Sequence, residues 1–342
     1  MLDRESGFAD EKVIGLLRRS FVPVALDVWY EERRQDAAGE LFRKVVYQRE
    51  GMEPGRTTQG LYVCAPDGTL LAGWNNRDAA RLRDRLGAAL DGWRPRPAGA
   101  PPETRGLEGK RGAGQEERDA AADPRFARAP PDGGLVVAVH SRIVKADWPD
   151  TRDAWERIHQ RASGFDHLWI TRDEVEALAR GDFPRSLAVR IARFHCIDNT
   201  RGEPPMWEKG EVRALAIGFA DGGGSGARTG AAAGARPARA AGARSAGAAG
   251  GGPIDGEIAL LTDAGDRGFT ARAFGVVERS GDRITRFDLV IRGEFFGEGT
   301  YTKGAPPGKF TLAIAFTLAG DGADGAVPPQ GARWLDDYYG RV

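Results

Sequence analysis

Cysteine is nearly absent from this sequence, with two residues in 342, too few for a disulfide framework to carry the fold. Surplus charge is absent as well. Lysine plus arginine number 49 and aspartate plus glutamate 49. That balance argues against nucleic acid or an anionic membrane as the main partner, because both select a positive surplus. No apolar run reaches the roughly 18 residues of a membrane-crossing helix. The start, Met1-Leu2-Asp3-Arg4-Glu5, carries acids where a secretory signal has an apolar core. A cytoplasmic setting is the default expectation, with an exported form trimmed of its leader left open. There is no Gly-x-x-x-x-Gly-Lys-Ser/Thr loop, no Gly-x-Ser-x-Gly elbow and no His-Glu-x-x-His helix. No cofactor is implied, and no ligand spacing defines a metal site.

What is present points to folded cores. Hydrophobic residues make up 41% and aromatics 8%, too much for a wholly disordered chain. The basic residues divide into 42 Arg and 7 Lys, a bias better explained by a GC-rich genome, with a bacterial source expected, than by phosphate binding. A length of 342 residues leads to an expectation of two domains. Two tracts read as flexible. Residues 94–134 hold seven Pro and seven Gly among mixed charges and serve as the expected linker between a domain at 1–93 and one at 135–342. Residues 221–253 hold 23 Ala or Gly with four Arg and one acid. Frequent Gly keeps this low-complexity tract from one long helix. It sits between two strand-like runs, so it reads as a swollen loop inside the second domain, which costs stability only logarithmically in length. Solvated filler is the preferred reading of its arginines over contact with RNA or an acidic partner.

In the first domain, Val13, Leu16 and Leu17 lie on one face of a helix over 11–20. Phe21-Val22-Pro23-Val24-Ala25-Leu26-Asp27-Val28 reads as a buried strand. Asp36 caps a helix bearing Leu41, Val45 and Val46. Gly60–Ala65 and Thr69–Trp74, joined through Pro66-Asp67-Gly68, form a hairpin signal. Asp78 then caps a helix with Ala79, Leu82, Leu86 and Ala89 inward.

This α-β-α-β-β-α order, with a strand ending Leu26-Asp27-Val28-Trp29 and a hairpin at Pro66-Asp67-Gly68, resembles the thioredoxin-like fold over roughly residues 10–93. The resemblance implies an α/β domain whose redox dithiol would follow the first strand. Here Trp29-Tyr30-Glu31-Glu32-Arg33-Arg34-Gln35-Asp36 occupies that stretch without a cysteine, and Thr57-Thr58-Gln59-Gly60 stands where the family favours a cis-proline. Disulfide exchange needs a thiolate, so dithiol activity is not expected. Cys64 reads as a small buried hydrophobe in mid-strand. The resemblance implies a binding surface at Trp29, Tyr30, Arg33, Arg34, Thr57 and Thr58; a plain solvated helix start at Glu31–Arg34 is the competing reading.

The second domain reads as α+β. A strand over 135–144 and a helix near 153–162 precede a capping box, Thr171-Arg172-Asp173-Glu174. Pro184 opens a helix with Leu187, Ile191 and Phe194 on one face. Five strands are expected at 212–219, 254–261, 269–278, 284–294 and 310–318, curled into an antiparallel barrel or sandwich. Along the fourth, Thr285, Phe287, Leu289, Ile291 and Phe295 share one face, and Arg286, Asp288, Arg292 and Glu294 the other. Cross-strand ion pairing in solvent is preferred to a polar barrel lining. Gly293, Gly297 and Gly299 point to a bulge or tight bend.

The densest functional groups fall in an irregular stretch, Arg193-Phe194-His195-Cys196-Ile197-Asp198-Asn199-Thr200-Arg201-Gly202-Glu203. His195, Cys196 and Asp198 are the candidate catalytic residues, as a nucleophile–base pair or with Glu203 as metal ligands. The bland alternative is a structural loop in which Asp198 and Asn199 bond backbone amides and Arg201 pairs with Glu203. Candidate binding residues here are Arg201, Glu203, Arg286 and Asp288. The preferred expectation is a binding or accessory protein for a protein partner or small ligand. An oxidoreductase or metal-dependent enzyme using 195–203 is the alternative, and a homo-oligomer built on the β-domain a third.

Overall fold

A computed structural model describes residues 7–53, 57–76, 78–94, 130–220, 251–320 and 327–341. Most of the linker expected at 94–134, and the Ala/Gly tract up to residue 250, lie outside the described residues. The chain divides into two compact units, 1–127 and 128–342. Among the described residues, no helix is long and apolar enough to cross a membrane.

The first unit orders helices α1 (Glu11–Ser20), α2 (Val28–Arg33) and α3 (Ala37–Val46), strands β1 (Leu61–Cys64) and β2 (Leu70–Trp74), then α4 (Ala79–Gly92). Capping aspartates start all four helices. Asp10 accepts from the Lys12 and Val13 amides, Asp27 from Trp29, Asp36 from Gly39 and Asp78 from Arg81. The antiparallel hairpin pairs Leu61 with Trp74 and Val63 with Ala72, and Gly68 takes φ +82° in its turn. Val13, Val63, Trp74, Leu82, Leu86 and Ala89 form the core.

Three expectations fail in this unit. Residues 21–27 form no strand; Val22, Val24 and Leu26 are 90%, 70% and 45% exposed. Pro23 cannot donate to a ladder, and Asp27 is engaged as the α2 cap. Leu41 faces solvent, and Phe42 takes its place in the interior of α3 beside Val45 and Val46. Cys64 ends β1 and is exposed, so it is no core hydrophobe.

The second unit is built on one seven-stranded antiparallel sheet. Its strands are β3 (Leu135–Lys145), β4 (Ser163–Ile170), β5 (Val212–Phe219), β6 (Gly251–Leu261), β7 (Gly268–Ser280), β8 (Arg283–Phe296) and β9 (Phe310–Leu318). The spatial order is β4-β3-β9-β8-β7-β6-β5. Helix α5 (Ala154–Arg161) lies between β3 and β4 in sequence; α6 (Arg172–Arg180) and α7 (Arg185–Arg190) follow β4, and α8 (Leu335–Tyr338) follows β9. Apolar residues at period two, such as Phe287, Leu289 and Ile291 on β8 or Leu312, Ile314 and Phe316 on β9, build the packed face. Leu178, Leu187, Ile191, Phe194 and Trp207 cover it in one continuous core.

The α+β architecture and all five C-terminal strands agree with expectation, but closure does not. The sheet is open, with β4 and β5 at its two ends; it is neither a barrel nor the paired sheets of a sandwich. The expected bulge near Gly293 is absent, since β8 keeps its register with β9 throughout. The β7–β8 register shift falls instead between Glu278 and Arg279. Thr285 is therefore exposed and Ile284 buried in its stead. Gly297, at φ +93°, follows the end of β8. Strand β6 begins at Gly251, so the last three residues of the Ala/Gly tract belong to the sheet.

Candidate functional site

The polar stretch around His195 is not a surface loop. Helix α7 follows Pro184 and widens into a π-helical turn over Ile191–His195, closed by the Cys196 amide donating to the Ile191 carbonyl at 3.0 Å. Such insertions redirect side chains and recur at functional sites. Here they bring Arg190, Arg193 and His195 into the interior, where every residue from 190 to 201 is buried.

Each charged group there has its partners inside the fold. Arg190 holds Glu174 through two bonds of 2.7 and 3.0 Å and donates to the carbonyls of Trp169 (3.1 Å) and Tyr338 (2.9 Å). Burial pushes the Glu174 carboxyl up, but the Arg190 pair and bonds from Ser186 and the Thr171 amide outweigh it, so its pKa lies below the ordinary value. Arg193 grips Asp337 with two bonds of 2.7 Å and holds that carboxyl below its usual range. His195 Nε2 lies 3.2 Å from the Tyr338 hydroxyl. Its Nδ1 lies 3.3 Å from Asp166 Oδ2, within ion-pair distance but not aligned as a hydrogen bond. Asp166 also accepts from the Gln330 amide at 2.9 Å. Burial pushes the Tyr338 phenol well above its ordinary pKa.

Further along, Asp198 accepts from the Thr200 amide (3.1 Å) and hydroxyl (2.6 Å) and pairs with Arg201, which also donates to the Thr302 carbonyl. Asn199 accepts from the Ser141 hydroxyl. Gly164 makes room for that pair, because a Cβ there would collide with both side chains. Arg201 thus pairs with Asp198 and not, as expected, with Glu203, which instead meets Arg333 at the surface. Cys196 is fully buried and its thiol pKa is raised by desolvation alone. The three candidate catalytic residues are neighbours in sequence but engage different surroundings. Among the described residues, no group of three or more His, Cys, Asp or Glu is placed to hold a metal.

The surface expected on the first unit is only partly assembled. Trp29 and Arg33 are a pair, with the guanidinium 4.7 Å over the indole ring. Thr57 is exposed. Tyr30, Arg34 and Thr58 are buried, as is Glu31, so Glu31–Arg34 is not a simple solvated helix start. Arg34 pairs with Asp36 and Glu31, and the bond to Arg34 holds the Asp36 carboxyl at about 2. The Thr58 hydroxyl donates to Glu32 at 2.5 Å. Elsewhere in this unit, an open cavity of about 510 Å³ is lined by Gln48, Leu70, Leu71 and Ala89 among others.

The face of the seven-stranded sheet opposite the core carries the remaining polar groups. Arg286 bonds Glu278 across the strand pair (2.8 Å) and Asp288 on its own strand (2.5 Å), both in solvent. One row along the same face has another character. Arg142 on β3 pairs with Ala313 on β9, Ala313 with Arg292 on β8, and Arg292 with Arg272 on β7. All three arginines are exposed. Sequence reading missed this row because Arg142, Arg272 and Arg292 become neighbours only through the register of four strands. No family model, no curated protein and no solved structure matches this chain.

Proposed function

We propose that the protein is a non-catalytic binding protein, in which a thioredoxin-like first module without a dithiol accompanies a sheet domain that presents an open polar face. One observation carries this reading: the acids, bases and thiol of the 190–201 segment are already satisfied or sealed inside the fold. Asp198 is committed to Arg201 and Thr200, and Cys196 is fully buried with its pKa raised, whereas thiol chemistry needs an accessible thiolate. The first module is supported by the order α3, β1–β2 hairpin, α4. Its single cysteine, Cys64, stands on β1 and not at a helix N-terminus. The test is insulin-disulfide reduction together with metal analysis of the purified full chain. No turnover above the uncatalysed rate and no stoichiometric metal are expected; sustained turnover, or one bound metal per chain lost in His195→Ala, overturns the reading.

A further inference from the structure

We propose that the exposed sheet face binds a tetrahedral oxyanion, the phosphate or sulfate group of a small ligand, between Arg142 and Arg292 across Ala313. This inference rests on the binding role proposed above and gives it a ligand chemistry.

The register sets the geometry. Ala313 pairs with Arg142 on one side and with Arg292 on the other, so the two arginines stand two strand spacings apart, about 10 Å between backbones. Both side chains leave the same face, because Ile143 and Ile291 beside them in sequence are buried. Between them stands a methyl group. The next residue of β9 on this face is Ala315, which pairs with His140 and Val290. The result is a strip of small residues between two exposed arginines. Each guanidinium offers parallel N–H donors that match an oxyanion bidentately. The His140 and Phe165 rings, 4.8 Å apart, belong to the neighbouring row, where His140 pairs with both Phe165 and Ala315.

The charge arrangement points the same way. Arg272 stands directly opposite Arg292, and like charges directly opposite destabilise a strand pair. The rest of the face avoids this arrangement. Arg286 lies opposite Glu278, Arg272 turns to Asp255 at 3.2 Å, and Glu294 is occupied by Lys309 at 3.6 Å. Among the described residues, Arg142 and Arg292 have no carboxylate within ion-pair distance. Two unneutralised arginines flanking an alanine form an electropositive spot on a chain whose net charge is zero, whereas Arg272 beside them is held by Asp255 and stands opposite Glu257. An anion seated over Ala313 offsets the positive charge that Arg142 and Arg292 bring to either side of it.

The test is titration of the full chain with inorganic phosphate, sulfate and acetate, followed by calorimetry or phosphorus line broadening. Saturable phosphate or sulfate binding is expected, with acetate at least tenfold weaker; the tighter of the two oxyanions names the ester. Arg142→Gln and Arg292→Gln should each weaken it at least tenfold with unchanged circular dichroism, while Arg286→Gln, in the acid-paired part of the face, should change it less than twofold. Absence of saturable binding, equal binding of acetate, or an equal loss in Arg286→Gln overturns the site. Such a failure leaves the insulin and metal results standing, and turnover in those assays leaves this titration standing, so the two proposals fail separately.

Discussion

The hydroxyl of Tyr338 lies 3.2 Å from both the backbone amide of Trp169 and Nε2 of His195. An amide can only donate, so the phenol oxygen accepts from Trp169 while the same hydroxyl also meets the His195 ring. Trp169 belongs to β4, an end strand of the sheet, and its carbonyl is taken by Arg190. Side chains from α7 and α8 thus close a strand edge that would otherwise expose backbone groups. Tyr338→Phe strips one acceptor and one donor from a buried site and should destabilise the second unit by about 1–3 kcal/mol. Urea unfolding monitored by tryptophan fluorescence reads this as a lower midpoint at unchanged slope; a midpoint equal to the parent's contradicts it.

The Arg190–Glu174 pair makes a pH-dependent prediction. Glu174 has a folded-state pKa below its ordinary 4.5. Its contribution to stability is therefore complete above the unfolded value and is lost as pH falls through the lower folded one. Arg190→Met leaves the buried carboxylate without its cation and should cost about 3–5 kcal/mol at pH 7. The gap between parent and variant should begin to narrow above pH 4.5, as the stranded carboxyl takes up a proton in the folded variant, and should go on narrowing below it as the parent loses its own contribution. Denaturation midpoints from pH 7 to pH 3 check this, and a constant gap would falsify it.

Gly164 tests the Ser141–Asn199 pair. A methyl at 164 meets both side chains, so Gly164→Ala should lower stability by about 1–3 kcal/mol through overpacking. Adding Asn199→Ala removes the nearer of the two obstacles, and the double variant should be more stable than the sum of the two single effects requires. Strict additivity in thermal unfolding would show that the three residues do not meet.

The two thiols should separate cleanly. Cys64 is exposed, although partial desolvation and then Asp67 raise its pKa above the ordinary 9. Cys196 is sealed. A colorimetric disulfide reagent should titrate one thiol in the native protein, faster as pH rises past 9, and two in denaturant. Two reactive thiols in the native state contradict the interior placement of Cys196.

Local signals were readable in the sequence and long-range ones were not. The Asp36 and Asp78 caps, the Thr171–Glu174 capping box and the apolar runs of β5 to β9 each lie within about fourteen residues, and the structure has them where expected. The strand proposed for Phe21–Val28 failed because an apolar run becomes a strand only where an edge accepts it, and Pro23 cannot donate to one. Barrel closure failed for a related reason. Whether β4 meets β5 depends on what occupies each edge, and that is decided by Arg190, Tyr338 and, at β5, by Arg185 donating to the Leu215 carbonyl. The irregular 195–203 stretch showed its chemistry in sequence but not its depth. Nothing local says that Asp337 and Tyr338, more than 140 residues away, will enclose it.

Strand order has a kinetic consequence. The β3–β4 hairpin and the four-strand meander β5 to β8 are each assembled from consecutive strands, yet they join only through β9, which pairs Val137 with Leu318 on one side and Asp288 with Thr317 on the other. Neither half-sheet can complete the shared core until that strand inserts between them. Its insertion closes the longest loop in the sheet, and such non-local pairings fold slowly. Weakening β9, for example with Ile314→Ala, should therefore slow refolding as well as lower stability, whereas an equal loss in β6 should appear mainly in the unfolding rate.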